Sequence, residues 1–432
     1  MEYTMFDFKQ LTLFVLVFFA FASCKDDDTT MTTATTATFV VKVENVLPQT
    51  SFLASGSTGF LMPGESETIS FHAGKGSFLS YAAMFVQSND LFFGFDQAGL
   101  ALYDDNGQPR TGDVSAELFL WDAGTEVNEM PGTGPNQAPR QSGPNMGMTE
   151  NGNVRVVNDG FTYPPVTGLL QLSLTHDGGT GFTLTIENVS AGSMLPSPVA
   201  PGVWAVHGMG VQIFNAGQPA PNGLEALAED GDNSTFLAGI QDATGYTSPF
   251  APGVWVVHDA GAMPLFTNGQ PDRGMGLEAL AEAGDPAPLN DALKNVMGVK
   301  VAGVFNTPDG ANGPGPLLPA NSYSFTFDAT DGDYLNLATM LVHTNDLFFA
   351  FSDAGLPLFT GGVPFEGDAT SQILLWDAGT EVNEFPGAGN NQPARGGGAT
   401  GTDENGNVRP VNDSFSYPPV GQSIKVTISV MR

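Results

Sequence analysis

The chain has 432 residues, and its 46 acidic side chains against 14 basic ones give a formal charge of −32. That charge excludes a general nucleic-acid binder, since nothing here replaces the counterions of a phosphate backbone, and it disfavours adsorption to anionic lipid. A hydrophobic content of 41%, with 32 Phe, suffices for a core, while 54 Gly and 31 Pro leave little room for long helices and favour short strands joined by turns.

Residues 11–23, LTLFVLVFFAFAS, form an apolar run too short to span a bilayer comfortably, and it ends in small residues before Cys24. The run FASC resembles a bacterial lipobox, so residues 1–23 read as a lipoprotein signal peptide and Cys24 as the acylated first residue of the mature chain. Cys24 is the only cysteine, which excludes a disulfide framework and a Cys-based zinc site. Lys25-Asp26-Asp27-Asp28 follows, resembling the acidic surface-export tag of Bacteroidota lipoproteins, and residues 24–37 read as an acidic, Thr-rich tether. The expectation is an extracytoplasmic protein, held by lipid at the outer membrane or cell surface of a Gram-negative bacterium.

Beyond the tether the pattern is β. FVVKVENV (39–46), ETISF (67–71), FLSYAAMFV (78–86), AELFLW (116–121) and LLQLSLT (169–175) alternate or run apolar over strand length. So do SYSFTFDA (322–329), YLNLATMLV (334–342), SQILLW (371–376) and IKVTISV (424–430). Turn clusters between them suit an all-β, antiparallel sandwich. Helix is confined to short pieces: GLEALAE at 223–229 and 276–282, each opening on a Gly before its first turn and closely followed by another, and LNDALKNVM (289–297).

Internal repetition dominates the organisation. Asn89-Asp90-Leu91-Phe92-Phe93 recurs at 345–349, WDAGTEVNE at 121–129 recurs at 376–384, and ENGNV at 150–154 recurs at 404–408. Tyr163-Pro164-Pro165 returns as Tyr417-Pro418-Pro419, so the offset stays between 254 and 256. FVVKVENV, however, matches FTLTIENV (182–189) at an offset of 143. The 113-residue difference (256 against 143) reads as extra chain in the second copy, itself doubled: APGVW, Val-His and GLEALAE recur at offsets of 51 to 53 over about 200–285. The division that follows is a shortened first unit over 38–177 and a second over 181–432, which carries the few helices. Asp177-Gly178-Gly179-Thr180-Gly181 between them is either a tight domain junction, the preferred reading, or the turn of a hairpin.

Two acidic motifs close strands in both copies: Ser88-Asn89-Asp90 before Leu91, and Asp122-Ala123-Gly124-Thr125-Glu126 after Trp121. An Asp and a Glu four apart around a Gly can wrap a cation, because the Gly permits the bend and the oxygens then converge. Crowded carboxylates require either a cation or a basic neighbour, and the scarcity of basic residues tilts the choice toward a cation. Oxygen-only donors favour Ca²⁺ over zinc or copper. The plainer alternative is a solvated acidic turn.

The pattern LSYAAMFVQSNDLFFGF … LFLWDAGTEVNE, its second-copy counterpart, and FTLTIENV … SPVAPGVWAVH … GLEALAEDGD resemble the N-terminal domain of spondins. The resemblance implies an antiparallel β-sandwich of extracellular matrix and adhesion proteins. It also implies a Ca²⁺ site built from Asp90, Asp122 and Glu126 in the first unit and from Asp346, Asp377 and Glu381 in the second. Two departures stand out: Glu where the family commonly has Asp at the last ligand position, and the doubled Val-His/GLEALAE unit.

Other features carry less. His207 and His258, each near a Trp, read as packed, hydrogen-bonded residues rather than ligands. Gly396, Gly398 and Gly401 fit a dinucleotide-loop pattern without the strand and helix it needs. No nucleophile elbow and no paired-His zinc motif occurs. The expected function is an anchored, calcium-binding adhesion or recognition module without catalysis, facing an extracellular matrix polymer, glycan or protein. The alternative is a secreted polysaccharide-active enzyme or accessory that uses acidic residues.

Overall fold

The computed structural model describes residues 35–396 and 400–432. The expected signal peptide, Cys24 and nearly all of the tether lie outside them, as does Gly398. The apolar alternation becomes antiparallel sheet almost throughout. Sixteen strands carry the fold: β1 (Thr36–Asn45), β2 (Phe52–Ser57), β3 (Ser66–His72), β4 (Ser77–Met84), β5 (Leu91–Gly94), β6 (Phe119–Asp122), β7 (Leu170–His176), β8 (Gly181–Asn188) and β9 (Val203–Gly208) come first. They are followed by β10 (Gly253–Asp259), β11 (Val299–Phe305), β12 (Ser322–Thr330), β13 (Asp333–Met340), β14 (Leu347–Ala350), β15 (Leu374–Asp377) and β16 (Ile424–Val430). Among the short helices that accompany them are α1 (Leu224–Asp230), α2 (Ser234–Asp242), α3 (Leu277–Ala283) and α4 (Ala287–Leu293).

These elements build two lobes of the same design. In the first, a sheet ordered β3-β8-β7 faces a larger one ordered β2-β9-β4-β5-β6, and α1 and α2 cover the larger sheet's outer side. In the second, β12-β1-β16 faces β11-β10-β13-β14-β15, with α3 and α4 outside. Between the second pair of sheets lie Phe39, Val41, Val43, Phe327 and Val426 from one side and Val257, Leu335, Leu337 and Phe349 from the other. Each large apolar side chain removed from water here contributes about 1.5–3 kcal/mol.

Strand pairing corrects the expected division. β1 lies between β12 and β16, with Phe39 opposite both Phe327 and Val430, so the amino-terminal strand belongs to the second lobe. Its repeat β8 lies between β3 and β7 of the first lobe. The boundary placed at 177/181 falls inside the β7–β8 hairpin, where His176 faces Phe182 and the Asp177 carboxylate accepts from the Gly179 and Gly181 amides. A four-residue turn costs little loop entropy, which commits β8 to β7 and leaves the equivalent place in the second lobe to β1. The first lobe, residues 52–244, is thus inserted into the second between β1 and β10, with its chain order rotated. The 113 residues read as an excess in one copy supply β9, α1 and α2 to the first lobe and β10, α3 and α4 to the second. Helices therefore occur in both lobes, and neither lacks its middle.

Asn45 and Asn188 mark the equivalence. The Asn188 amide donates to the Leu61 and Ser197 carbonyls, and Asn45 donates to Leu317 and Ser248. Where the rotated order cuts the first lobe, the ends still meet: the Ser51 and Phe52 amides donate to the Ala243 carbonyl. Residues Thr35–Arg432 form one compact unit.

Candidate metal centre

In each lobe, register brings two acids to one end of the larger sheet. Leu91 pairs with Asp122 and Leu347 with Asp377, so Asp90 and Asp346, one residue earlier, stand beside the last residue of the neighbouring strand. All four are fully buried. Gly124 and Gly379 then turn the chain with φ near +70°, and a Cβ on either would lie 2.7 Å from backbone atoms of the ENGN loop. That loop pairs with the DAGT loop: Glu404 N donates to the Thr380 carbonyl at 2.9 Å, and Glu150 N to the Thr125 carbonyl at 2.8 Å.

The outcome in the second lobe is a group of three. One carboxylate oxygen each from Asp346, Asp377 and Glu404 lie within 4.8 Å of one another, the group of this kind found among the described residues. Asp346 Oδ2 accepts from the Thr380 and Glu381 amides, whereas Oδ1 is buried without a partner. Asp377 Oδ1 accepts from Gly379 N at 2.7 Å, and Oδ2 from Asn383 and from Arg409 Nη2 at 2.9 Å. Arg409 Nη2 also reaches Glu404 at 2.7 Å. Burial, with the Asp346 charge next, pushes Asp377 up to about 7 against the pull of Arg409; burial takes Asp346 to about 6.

The first lobe repeats the bonding pattern. Asp90 Oδ2 accepts from the Thr125 and Glu126 amides, and Oδ1 is an orphan. Asp122 accepts from Arg155 at 2.7 Å, and Arg155 reaches Glu150 at 2.8 Å. Burial, reinforced by Asp90, raises Asp122 to about 7.

Glu126 and Glu381 do not join their groups. The Glu381 carboxylate is taken by Asn345 Nδ2 at 3.1 Å and by the Gly401 amide, and Glu126 is held likewise by Asn89 and Gly147. What these residues bring to the site is a backbone N–H directed at Asp346 or Asp90. Glu404 takes the place expected of Glu381. The basic neighbour that the sequence made seem scarce is present as Arg409 or Arg155, placed opposite the Asp by strand register. The signal for both was the repeated ENGNV segment, with Arg one residue beyond it.

His207 is buried, its Nδ1 donating to the Gly208 carbonyl and its Nε2 bonded to Ser80 at 2.8 Å. His258 Nδ1 likewise donates to Asp259. A further acid approaches each centre from a helix: Glu229 is almost fully buried, its pKa raised to about 7 by burial, and Glu282 occupies the matching place.

Three carboxylates against one guanidinium leave a charge of −2 when all are ionised (3 − 1 = 2), which a divalent cation would cancel. The orphaned Asp346 Oδ1 and the all-oxygen donor set fit such an ion, and suit a hard cation over a soft one. No family model matches the chain, and no curated protein is significantly similar to it.

Proposed function

We propose that this is a surface-anchored, calcium-binding recognition module of spondin type, without catalysis. The observation that supports it is the trio Asp346, Asp377 and Glu404, its two Asp fully buried and Asp346 Oδ1 unpartnered, with the same bonding pattern around Asp90, Asp122 and Glu150. Leaving such oxygens buried and charged without a ligand is costly, and a divalent ion removes that cost. The ion would tie together the ends of β13–β15 and the two loops beyond them, giving the long segments that follow each site a fixed shape for contacting an extracellular polymer, glycan or protein. Anchoring rests on the FASC run and the acidic residues after Cys24.

Scanning calorimetry with millimolar Ca²⁺ against EDTA tests the reading. At one hundred times Kd, each occupied site adds about 2.7 kcal/mol. The Asp377→Asn variant loses the contribution of the second lobe. A transition that ignores Ca²⁺ in the wild type rejects the proposal.

A further inference from the structure

One loop of the second lobe reaches onto the first, and it is bonded to Asn345, the neighbour of Asp346 in the acidic centre. Asn345, next to Asp346, donates from Nδ2 to both Glu381 and Glu384 and accepts the Glu384 amide on Oδ1 at 2.9 Å. The Glu384 carboxylate in turn holds the Asn391 amide at 2.8 Å and its side chain at 3.2 Å. Residues 385–395 then lie on the first lobe. Phe385 stacks on His72 with ring centroids 3.8 Å apart, and Asn390 accepts the Lys75 amide at 2.7 Å while donating to Tyr103 at 3.1 Å. Arg395 donates to the Lys75 carbonyl, and Ala388 lies so close to Gly74 that no Cβ would fit between them.

The first lobe has similar wiring, and among the described residues its loop shows no matching bond to the second lobe. Glu129 holds Asn136 as Glu384 holds Asn391, yet Met130, in the place of Phe385, is 58% exposed. The joint is therefore peculiar to the loop fed by Asp346, Asp377 and Glu404.

The geometry points to a calcium-controlled joint: an ion on Asp346, Asp377 and Glu404 fixes Asn345 and Glu384, and these hold residues 385–395 in the shape that clamps the first lobe. This rests on the calcium reading of the same centre. Without the ion, like charges separate the ends of β14 and β15, and the segment that carries Phe385 and Asn390 loses its support. Calcium then sets the stiffness between the lobes, not only the stability of each.

Hydrogen exchange read by mass spectrometry on the full chain tests this, because the Lys75 amide belongs to one lobe and its acceptor to the other. With Ca²⁺ against EDTA, exchange at Lys75 should slow about tenfold in the wild type and in Asp122→Asn, which disables only the first lobe's centre. The slowing should vanish in Asp377→Asn and in Glu384→Gln, which leaves the three acids intact and cuts the link beyond them. Gly74→Val removes the joint from the other side and should abolish the effect while keeping the calorimetric shift. Exchange at Lys75 that is equally fast with and without Ca²⁺, beside a normal calorimetric shift, overturns the joint and spares the calcium site. Loss of both overturns both, and slowing that persists in Asp377→Asn overturns the joint alone.

Discussion

Phe39 is the sharpest test of the interleaved lobes. It is fully buried in β1, stacked on Phe327 with centroids 5.6 Å apart and edge-on to Phe359 at 5.5 Å. β1 is hydrogen-bonded on both edges, to β12 and to β16, so the cavity left by Phe39→Ala has little freedom to collapse, and the cost is about 4 kcal/mol. In a lobe of this size that lowers the melting temperature by about 8–16 °C. Trp121 and Trp204 report on the first lobe, and Trp255 and Trp376 on the second. Replacing either pair by Phe yields fluorescence that follows one lobe. Phe39→Ala should lower the Trp255/Trp376 transition, and Phe182→Ala, the matching change in β8, the Trp121/Trp204 transition. A Phe39→Ala loss seen only through Trp121 and Trp204 would refute the pairing of β1 with β12 and β16.

Glu404→Gln should remove most of the Ca²⁺-dependent calorimetric shift of the second lobe, whereas Glu381→Gln, whose carboxylate is already engaged by Asn345 and Gly401, should retain most of it. Gly124→Ala, forcing a Cβ against the Asn153 backbone at a φ of 72°, should destabilise the first lobe by roughly 1–3 kcal/mol in chemical denaturation and weaken its calcium response. Stability in chelator should fall as pH rises. Asp122 and Asp377 have folded values near 7 against 3.8 for an unperturbed Asp, so the folded state binds more protons than the unfolded state in that window. Their contribution is complete below 3.8 and lost by about 7. Melting in EDTA should therefore occur higher at pH 6 than at pH 8, and saturating Ca²⁺ should flatten or reverse the difference.

The strands and the acids of the candidate centre were legible for different reasons. Alternation fixes which face of a strand is buried, and β1, β7, β12 and β16 follow it, whereas β13 reads as a continuous apolar run and is buried on both faces. Asp90, Asp122, Asp346 and Asp377 stand at strand ends, where the pattern itself ends. Lobe membership was not legible, since two copies of one strand satisfy either sheet equally well and only the short β7–β8 turn breaks the tie. Glu404 and Arg409 were hidden because their loop reaches the centre through backbone pairing with Thr380 and Gly379, a contact that spacing along the chain does not encode. Strands β2 and β11 escaped the alternation test because Gly56 and Gly303 lie under the rings of Trp204 and Trp255. α2 was missed because its apolar face reduces to Phe236 and Ile240.

The nesting also sets a timetable for synthesis. Residues 52–244 include every strand and helix of the inner lobe, which can close as soon as its last helix has left the ribosome. The outer lobe cannot: β1 is made before the inner lobe, and its neighbour β16 (Ile424–Val430) only after it and after β10 to β15. Until β16 is made, Phe39, Val41 and Val43 lack a finished sheet to enter, an interval that favours late, assisted folding and penalises any truncation that removes β16.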